Sequence, residues 1–201
     1  MCGRFSQNIS LEQIQQHFAV DIITCKVEPR LEVFPSQHVP AIIMQESKMR
    51  LGHLTWGLIP FWAKEKKGTG HINARMETLD QKPSFKDSFR KRRCLIIGDG
   101  FYEWKSHQEI GNRKTKYFFQ LPSNAPFAFA GLWDTWQKTY NGCTIITREA
   151  VGEIRDIHDR MPCILNPEAY TDWLDAENHD VHGLKRFLWN GCVDDFVIST
   201  I

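Results

Sequence analysis

The chain has 201 residues and a mass of 23.4 kDa, with 42% hydrophobic and 12% aromatic residues. That composition excludes a disordered or fibrous protein, and the length suffices to bury roughly 70% of the unfolded surface without disulfide or metal staples. Formal net charge is +1, yet residues 1–120 carry 19 Lys and Arg against 12 Asp and Glu, while residues 121–201 carry 6 against 12. A basic first part suits an anionic partner.

In chain order, residues 10–18 read as a short helix, with Ser10 as cap, Gln13 completing a capping box, and Leu11, Ile14 and Phe18 on one face. Residues 39–44 and 49–56 read as a hairpin around Glu46-Ser47-Lys48. The densest basic run, Lys82 to Arg93, reads as a solvated helix face. Residues 93–97 and 101–105 are strand-like runs split by Gly98-Asp99-Gly100, and residues 116–121, 127–133 and 143–147 are further strands. Turn signals stand at Gly111-Asn112 and Asn141-Gly142. Asn166-Pro167 opens a helix with Tyr170, Trp173 and Leu174 on its apolar face. A last helix over 183–189 and a last strand over 193–198 follow. Many short strands and few helices predict one α+β domain over residues 1–201, built around a mostly antiparallel, barrel-like sheet with peripheral helices.

No apolar run approaches the ~20 residues of a membrane span. Met1-Cys2-Gly3-Arg4-Phe5 has no apolar stretch behind it, so a cytoplasmic protein without a membrane partner is expected. The six cysteines include no Cys-x-x-Cys, which argues against a zinc ribbon; disulfides, metal and cofactor are not expected. Cys94, Cys143 and Cys163 sit in apolar stretches and read as core; Cys2 does not.

Cys2 is the most informative position. Removal of Met1 would expose an α-amine with pKa near 8 beside a thiol with pKa near 8.5. On an aldehyde the amine would form an imine and the thiol would close a thiazolidine ring; on an amide the thiol would attack with its own amine as base. Arg4 places a permanent fork of donors beside it, suited to phosphate or carboxylate. In the stretch from His71 to Thr78, an extended backbone would put Asn73, Arg75 and Glu77 on one face, with Asn73 able to hold an amine or oxyanion and Arg75 a phosphate, or to pair with Glu77. Glu103, among Phe101, Tyr102 and Trp104, should have a raised pKa useful for proton transfer. His158 supplies a titratable base, with Asp159 keeping it partly protonated. Trp56 reads as core, whereas Trp62, beside Lys64, Lys66 and Lys67, reads as an exposed ring on which a base could stack.

Six motifs occur in order along the chain. Met1-Cys2-Gly3-Arg4-Phe5, Trp56-Gly57-Leu58-Ile59-Pro60, Ile72-Asn73-Ala74-Arg75, Gly100-Phe101-Tyr102-Glu103-Trp104-Lys105, Ala130-Gly131-Leu132-Trp133 and His158-Asp159-Arg160-Met161-Pro162 together resemble the SOS-response-associated peptidase (SRAP) family. The resemblance implies a monomeric sensor of abasic sites in single-stranded DNA, active in the DNA damage response. It implies that Cys2 cross-links to the ring-opened sugar as a thiazolidine and shields the lesion. By the same match Asn73 would orient the Cys2 amine, Glu103 and His158 would move protons, and Arg4, Arg75 and Arg160 would hold phosphates. The family name further implies self-removal of Met1. Where the family has a Tyr-Asn-x-x-Pro segment, this chain reads Glu32-Val33-Phe34-Pro35. The alternatives are an N-terminal-cysteine amidohydrolase of the glutamine amidotransferase type, whose Asn-Gly segment would belong after early strands rather than at Asn141-Gly142, and a non-covalent reader of modified DNA, which would need no Cys2.

Overall fold

The computed structural model describes residues 2–107 and 113–201. Its elements, in chain order, begin with β1 (Phe5–Gln7), α1 (Leu11–Phe18), β2 (Ile22–Ile23), β3 (Arg30–Val33), β4 (His38–Gln45) and β5 (Lys48–Trp56). β6 (Asn73–Arg75), α2 (Lys86–Lys91), β7 (Arg93–Gly98), β8 (Gly100–His107), β9 (Arg113–Gln120), β10 (Phe127–Trp136) and β11 (Tyr140–Glu149) follow. The chain ends through β12 (Arg160–Pro162), β13 (Ile164–Leu165), α3 (Tyr170–Leu174), α4 (Val181–Asn190) and β14 (Val197–Thr200).

The expected α+β class holds, but the strands do not form one barrel. They form a five-stranded sheet ordered β14-β9-β8-β1-β3 and a nine-stranded sheet running β12-β11-β10-β7-β4-β5-β2, with β13 on β10 and β6 on β11. The larger sheet curls until β5 meets β11 in a two-residue parallel pairing, Gly142 to Thr55 and Cys143 to Trp56, without closing into a barrel.

β7 shows why. All six of its residues are buried, so it is covered on both faces. Leu95 and Ile97 pack toward the helices, in a cluster with Ile14, Phe18, Trp173, Leu184 and Leu188. Cys94 and Ile96 point the other way, into a cluster with Phe5, Trp56, Phe101, Phe119 and Ile145 that fills the space between the sheets. One sheet therefore carries helices on one side and the second sheet on the other.

Asp99 marks the corner where the chain passes from the larger sheet to the smaller. Its N–H donates to Ser6 O at 3.1 Å, and its carboxylate accepts from Asn8 N–H at 3.0 Å. Gly100 is needed there, since a Cβ would lie 2.2 Å from the Phe118 ring. Gly57 meets a second backbone requirement: φ is 149°, and a Cβ would fall 1.9 Å from Thr69 O.

The capping box of α1 forms as read, with Gln13 N–H donating to Ser10 Oγ at 3.2 Å and Ser10 N–H to Gln13 Oε1 at 2.8 Å. The β4–β5 hairpin forms too, with Glu46 and Ser47 at φ 50° and 59°. The Asn141-Gly142 turn does not: both residues lie inside β11, and the reversal is made earlier by Gln137 and Lys138 at φ 49° and 62°. Gly111-Asn112 lies outside the described residues. After Asn166 the chain makes a 3-10 turn at Pro167–Ala169 before α3, and the last strand begins at Val197 rather than 193.

Arg93 leaves the predicted solvated face altogether. It is buried, and its guanidinium donates to the carbonyls of Phe89, Arg90, Trp173, Asp175 and Asn178, gathering the ends of α2 and α3. Replacing it by Met strips these carbonyls of a charged donor inside the protein. Arg93→Met is expected to lower stability by about 3 kcal/mol in urea titration; an unchanged midpoint would show that the carbonyls do not depend on it.

Candidate functional site

Cys2 is fully buried, in the cluster that includes Phe5, Trp56, Ile145 and Met161. Its sequence context set it apart from the core cysteines, but the fold buries it as completely as Cys94, Cys143 and Cys163. Its thiol donates to Arg4 O at 3.7 Å, and burial, reinforced by the Glu103 carboxylate, pushes its pKa well above the ordinary thiol range.

The position of Cys2 is fixed by Asn73. The Asn73 side-chain amide donates to Cys2 O at 2.8 Å, across 71 positions of sequence. Asn73 itself is placed by β6, which runs parallel to β11 with Asn73 opposite Ile145. Its other amide atom, Oδ1, is buried and accepts no hydrogen bond among the described residues.

Glu103 approaches from β8. Alternation along that strand turns Phe101 and Glu103 toward the interior, and Tyr102 and Trp104 to the other face. Glu103 is 3% exposed, and burial raises its carboxyl pKa to about 7. The direction is the expected one, but the cause is burial on the face shared with Phe101, since Tyr102 and Trp104 lie on the opposite face. His158 lies on the loop before β12, with Nε2 3.9 Å from Glu103 Oε2. Its Nδ1 accepts the Arg160 backbone N–H at 2.9 Å, so the neutral ring carries its proton on Nε2, facing Glu103.

The expectation that Asp159 keeps His158 protonated is corrected. Asp159 Oδ1 is 2.9 Å from Nδ1, yet burial outweighs it and the imidazole pKa falls below its ordinary value. The site thus holds a carboxyl shifted up beside an imidazole shifted down, an arrangement suited to exchanging a proton near neutral pH.

Trp62 stands in water as read, 52% exposed beside Phe61 at 55%, and Arg75 is exposed too. Trp62 borders a cleft of about 390 Å³ with Leu58, Ile59, Pro60, Lys64 and His71. Arg160 behaves differently. Its guanidinium is buried and forks onto Glu77 at 2.8 and 3.0 Å, with Thr147 O taking a further N–H at 2.7 Å. The partner of Glu77 is therefore Arg160, not Arg75, and Arg160 ties β12 to β11 and to the turn that follows β6 rather than presenting charge to solvent. Strand spacing alone favoured Arg75, because the contact with Arg160 spans 83 positions.

The curled sheet brings Cys2, the Asn73 amide and the Glu103–His158 pair together. The chain matches the model of the SOS response associated peptidase (SRAP) family over residues 1–198, and it belongs to that family. It is 42% identical over 203 residues to the protein named abasic site processing protein YoaM of Bacillus subtilis, covering 97% of this chain and 88% of that one. It is 31% identical to abasic site processing protein YedK of Escherichia coli, with 88% and 81% covered. With abasic site processing protein HMCES of Gallus gallus it shares 34% over 158 residues, 64% of this chain and 46% of that one. Among solved structures, a protein from Bordetella bronchiseptica superposes with a TM-score of 0.82 at 25% identity, covering 100% of this chain and 99% of that one. One from Bacteroides thetaiotaomicron has a TM-score of 0.83 at 22% identity, covering 100% and 92%, and shares the fold.

The raised pKa of Glu103 has a sign. Between the unfolded value of 4.5 and the folded value near 7, the folded state holds a proton that the unfolded state has lost, so stability falls as pH rises through this window and levels off above it. Glu103→Gln is therefore expected to be more stable than wild type at pH 8, by about 2–3 kcal/mol, with the difference vanishing near pH 4. Urea midpoints across pH 4–9 check it; a constant difference at every pH would contradict the shift.

Proposed function

We propose that this chain captures abasic sites in single-stranded DNA by forming a thiazolidine between its amino-terminal Cys2 and the ring-opened sugar. The observation that carries the reading is the convergence of Cys2, Asn73, Glu103 and His158 from four separate segments. The names of the relatives, abasic site processing proteins, support the choice of lesion.

The chemistry follows from the residues. Loss of Met1 frees the Cys2 amine, with Asn73 holding the adjoining carbonyl and offering Oδ1 to an amine N–H. Protonated Glu103 donates to the ring oxygen of the closed sugar as the C1′–O4′ bond breaks, and the C1′ hydroxyl releases its proton to solvent, exposing the C1′ aldehyde. The amine adds to that carbon, and the resulting hydroxyl leaves as water when it receives a proton, giving the imine. The thiol then adds to the imine carbon, its proton passing to the nitrogen. A thiol held well above the ordinary pKa range is a poor nucleophile alone. The raised thiol pKa supports amine first and thiol second, with ring closure driven by proximity. His158, neutral and with its proton on Nε2, relays protons to and from Glu103.

The basic first part would hold the strand, with Arg75 on a phosphate and Trp62 beneath a base. Any role of Arg160 in this is indirect, through the turn that follows β6. We infer that Met1 is removed before reaction, and that the same carboxyl–imidazole pair is available to assist a self-processing step.

Three measurements test this. An abasic oligonucleotide mixed with wild type should give a heat-stable adduct on a denaturing gel, while Cys2→Ser should give only an imine that requires borohydride to trap; a heat-stable adduct from Cys2→Ser would falsify the assignment. Glu103→Gln and His158→Ala should each slow single-turnover cross-linking about 10²–10⁴-fold with DNA affinity nearly unchanged. Wild-type rates in both would remove them from the chemistry. Arg75→Ala should weaken binding of any single strand alike and flatten its salt dependence, because a phosphate contact carries no base information; a sequence-dependent loss would contradict a phosphate role.

A further inference from the structure

The other face of β8 carries a second group of charges that this chemistry does not use. Trp104 is paired directly with Lys116 of β9, and Tyr102 with Phe118, so these side chains share one face. Arg4 reaches the same place. Its Nη1 lies 3.5 Å from each carboxylate oxygen of Glu32, and Lys116 Nζ also bonds Glu32 Oε1. The walls are aromatic: the Arg4 guanidinium sits 4.4 Å from the Phe34 ring and 5.0 Å from Trp104, and the Lys116 ammonium 4.3 Å from Tyr102. All three charged side chains are partly open to water, at 29%, 32% and 25% for Arg4, Glu32 and Lys116.

One carboxylate thus neutralises two cations in an aromatic cradle. Ion pairs this exposed add little to stability. The cradle has the components of a nucleic-acid subsite: two cations for a phosphate and flat rings for the base beside it. Arg4 is also two residues from Cys2, about 7 Å of extended chain.

We propose that the Glu32 carboxylate is an internal stand-in for a backbone phosphate on Arg4, whose phosphate role the family resemblance already implies, and that bound DNA displaces it, with Lys116, Phe34 and Trp104 completing the subsite. The inference rests on the reading of this chain as a single-strand binder. Its consequence is selectivity by subtraction. Every strand must compete with Glu32, so an undamaged strand, held only by reversible contacts, is released sooner. A lesion is retained because it forms a covalent bond. The Lys116 and Arg4 contacts hold the Glu32 pKa below its ordinary value, so the carboxylate is charged at neutral pH.

The test is binding of an undamaged single-stranded oligonucleotide, followed by fluorescence anisotropy across a salt series, with cross-linking of an abasic oligonucleotide measured beside it. Glu32→Gln keeps shape and loses charge. It should bind about tenfold tighter at low salt, with the slope of log affinity against log salt steeper by about one. Glu32→Asp, which keeps the charge, should stay close to wild type, and adding Lys116→Ala to Glu32→Gln should cancel the gain. A Glu32→Gln protein of native melting temperature whose affinity and salt slope are unchanged or reduced overturns the inference, since a merely structural carboxylate predicts that result. If wild type cross-links normally while Glu32→Gln gains nothing, the inference fails and the proposed function stands. If Glu32→Gln gains affinity but no chain cross-links, the subsite stands and the proposed function fails.

Discussion

The hydrogen bond from Asn73 to the carbonyl of Cys2 is the contact on which the site depends. It joins the start of the chain to a strand 71 positions away, at 2.8 Å. A chain terminus is ordinarily the least ordered part of a domain. Here residues 5–7 are locked into the smaller sheet between β3 and β8, and Cys2 is pinned from the other side by a strand of the larger sheet. Cys2 becomes a buried, oriented group, and the two sheets are tied together at the place where the chemistry is proposed.

That burial sets the electrostatics. Taking Cys2 and Glu103 out of water raises both pKa values, and it lowers that of His158. The three shifts share one leading cause, desolvation, but they leave the groups with different uses. The thiol is kept neutral and unreactive toward bystanders. The carboxyl is poised near neutrality, and the imidazole is kept in its neutral form. The Arg160–Glu77 fork keeps charge balanced behind β6 without placing a cation beside Glu103 that would undo its shift.

Much of this was legible in the sequence, and the parts that were not share a reason. Local signals were accurate: the Ser10–Gln13 capping box, the Glu46-Ser47 hairpin, the burial of Trp56 and the exposure of Trp62 all depend on near neighbours. The raised pKa of Glu103 has the expected direction, though of its three aromatic sequence neighbours only Phe101 shares its face. The Asn141-Gly142 turn misled because β10–β11 pairing extends through it, and Gln137 and Lys138 accept positive φ at the end of a long hairpin. The choice between one barrel and two sheets turned on the Gly98-Asp99-Gly100 corner, whose sequence says that the chain bends but not which sheet it joins. Arg93, Arg160 and Glu32 are held by side-chain contacts to partners 82, 83 and 28 positions away, and no local pattern encodes such pairs.

The account makes Cys2, and no other nucleophile, the point of attachment to the lesion. The most direct test is tandem mass spectrometry of the adduct formed by the wild-type chain with an abasic oligonucleotide, after nuclease and protease digestion. The account predicts a peptide lacking Met1 and carrying the sugar remnant on residue 2, unchanged by borohydride because the thiazolidine leaves no imine to reduce. A remnant on Lys64, Lys66, Lys116 or any internal cysteine, or on a chain that still retains Met1, would contradict it.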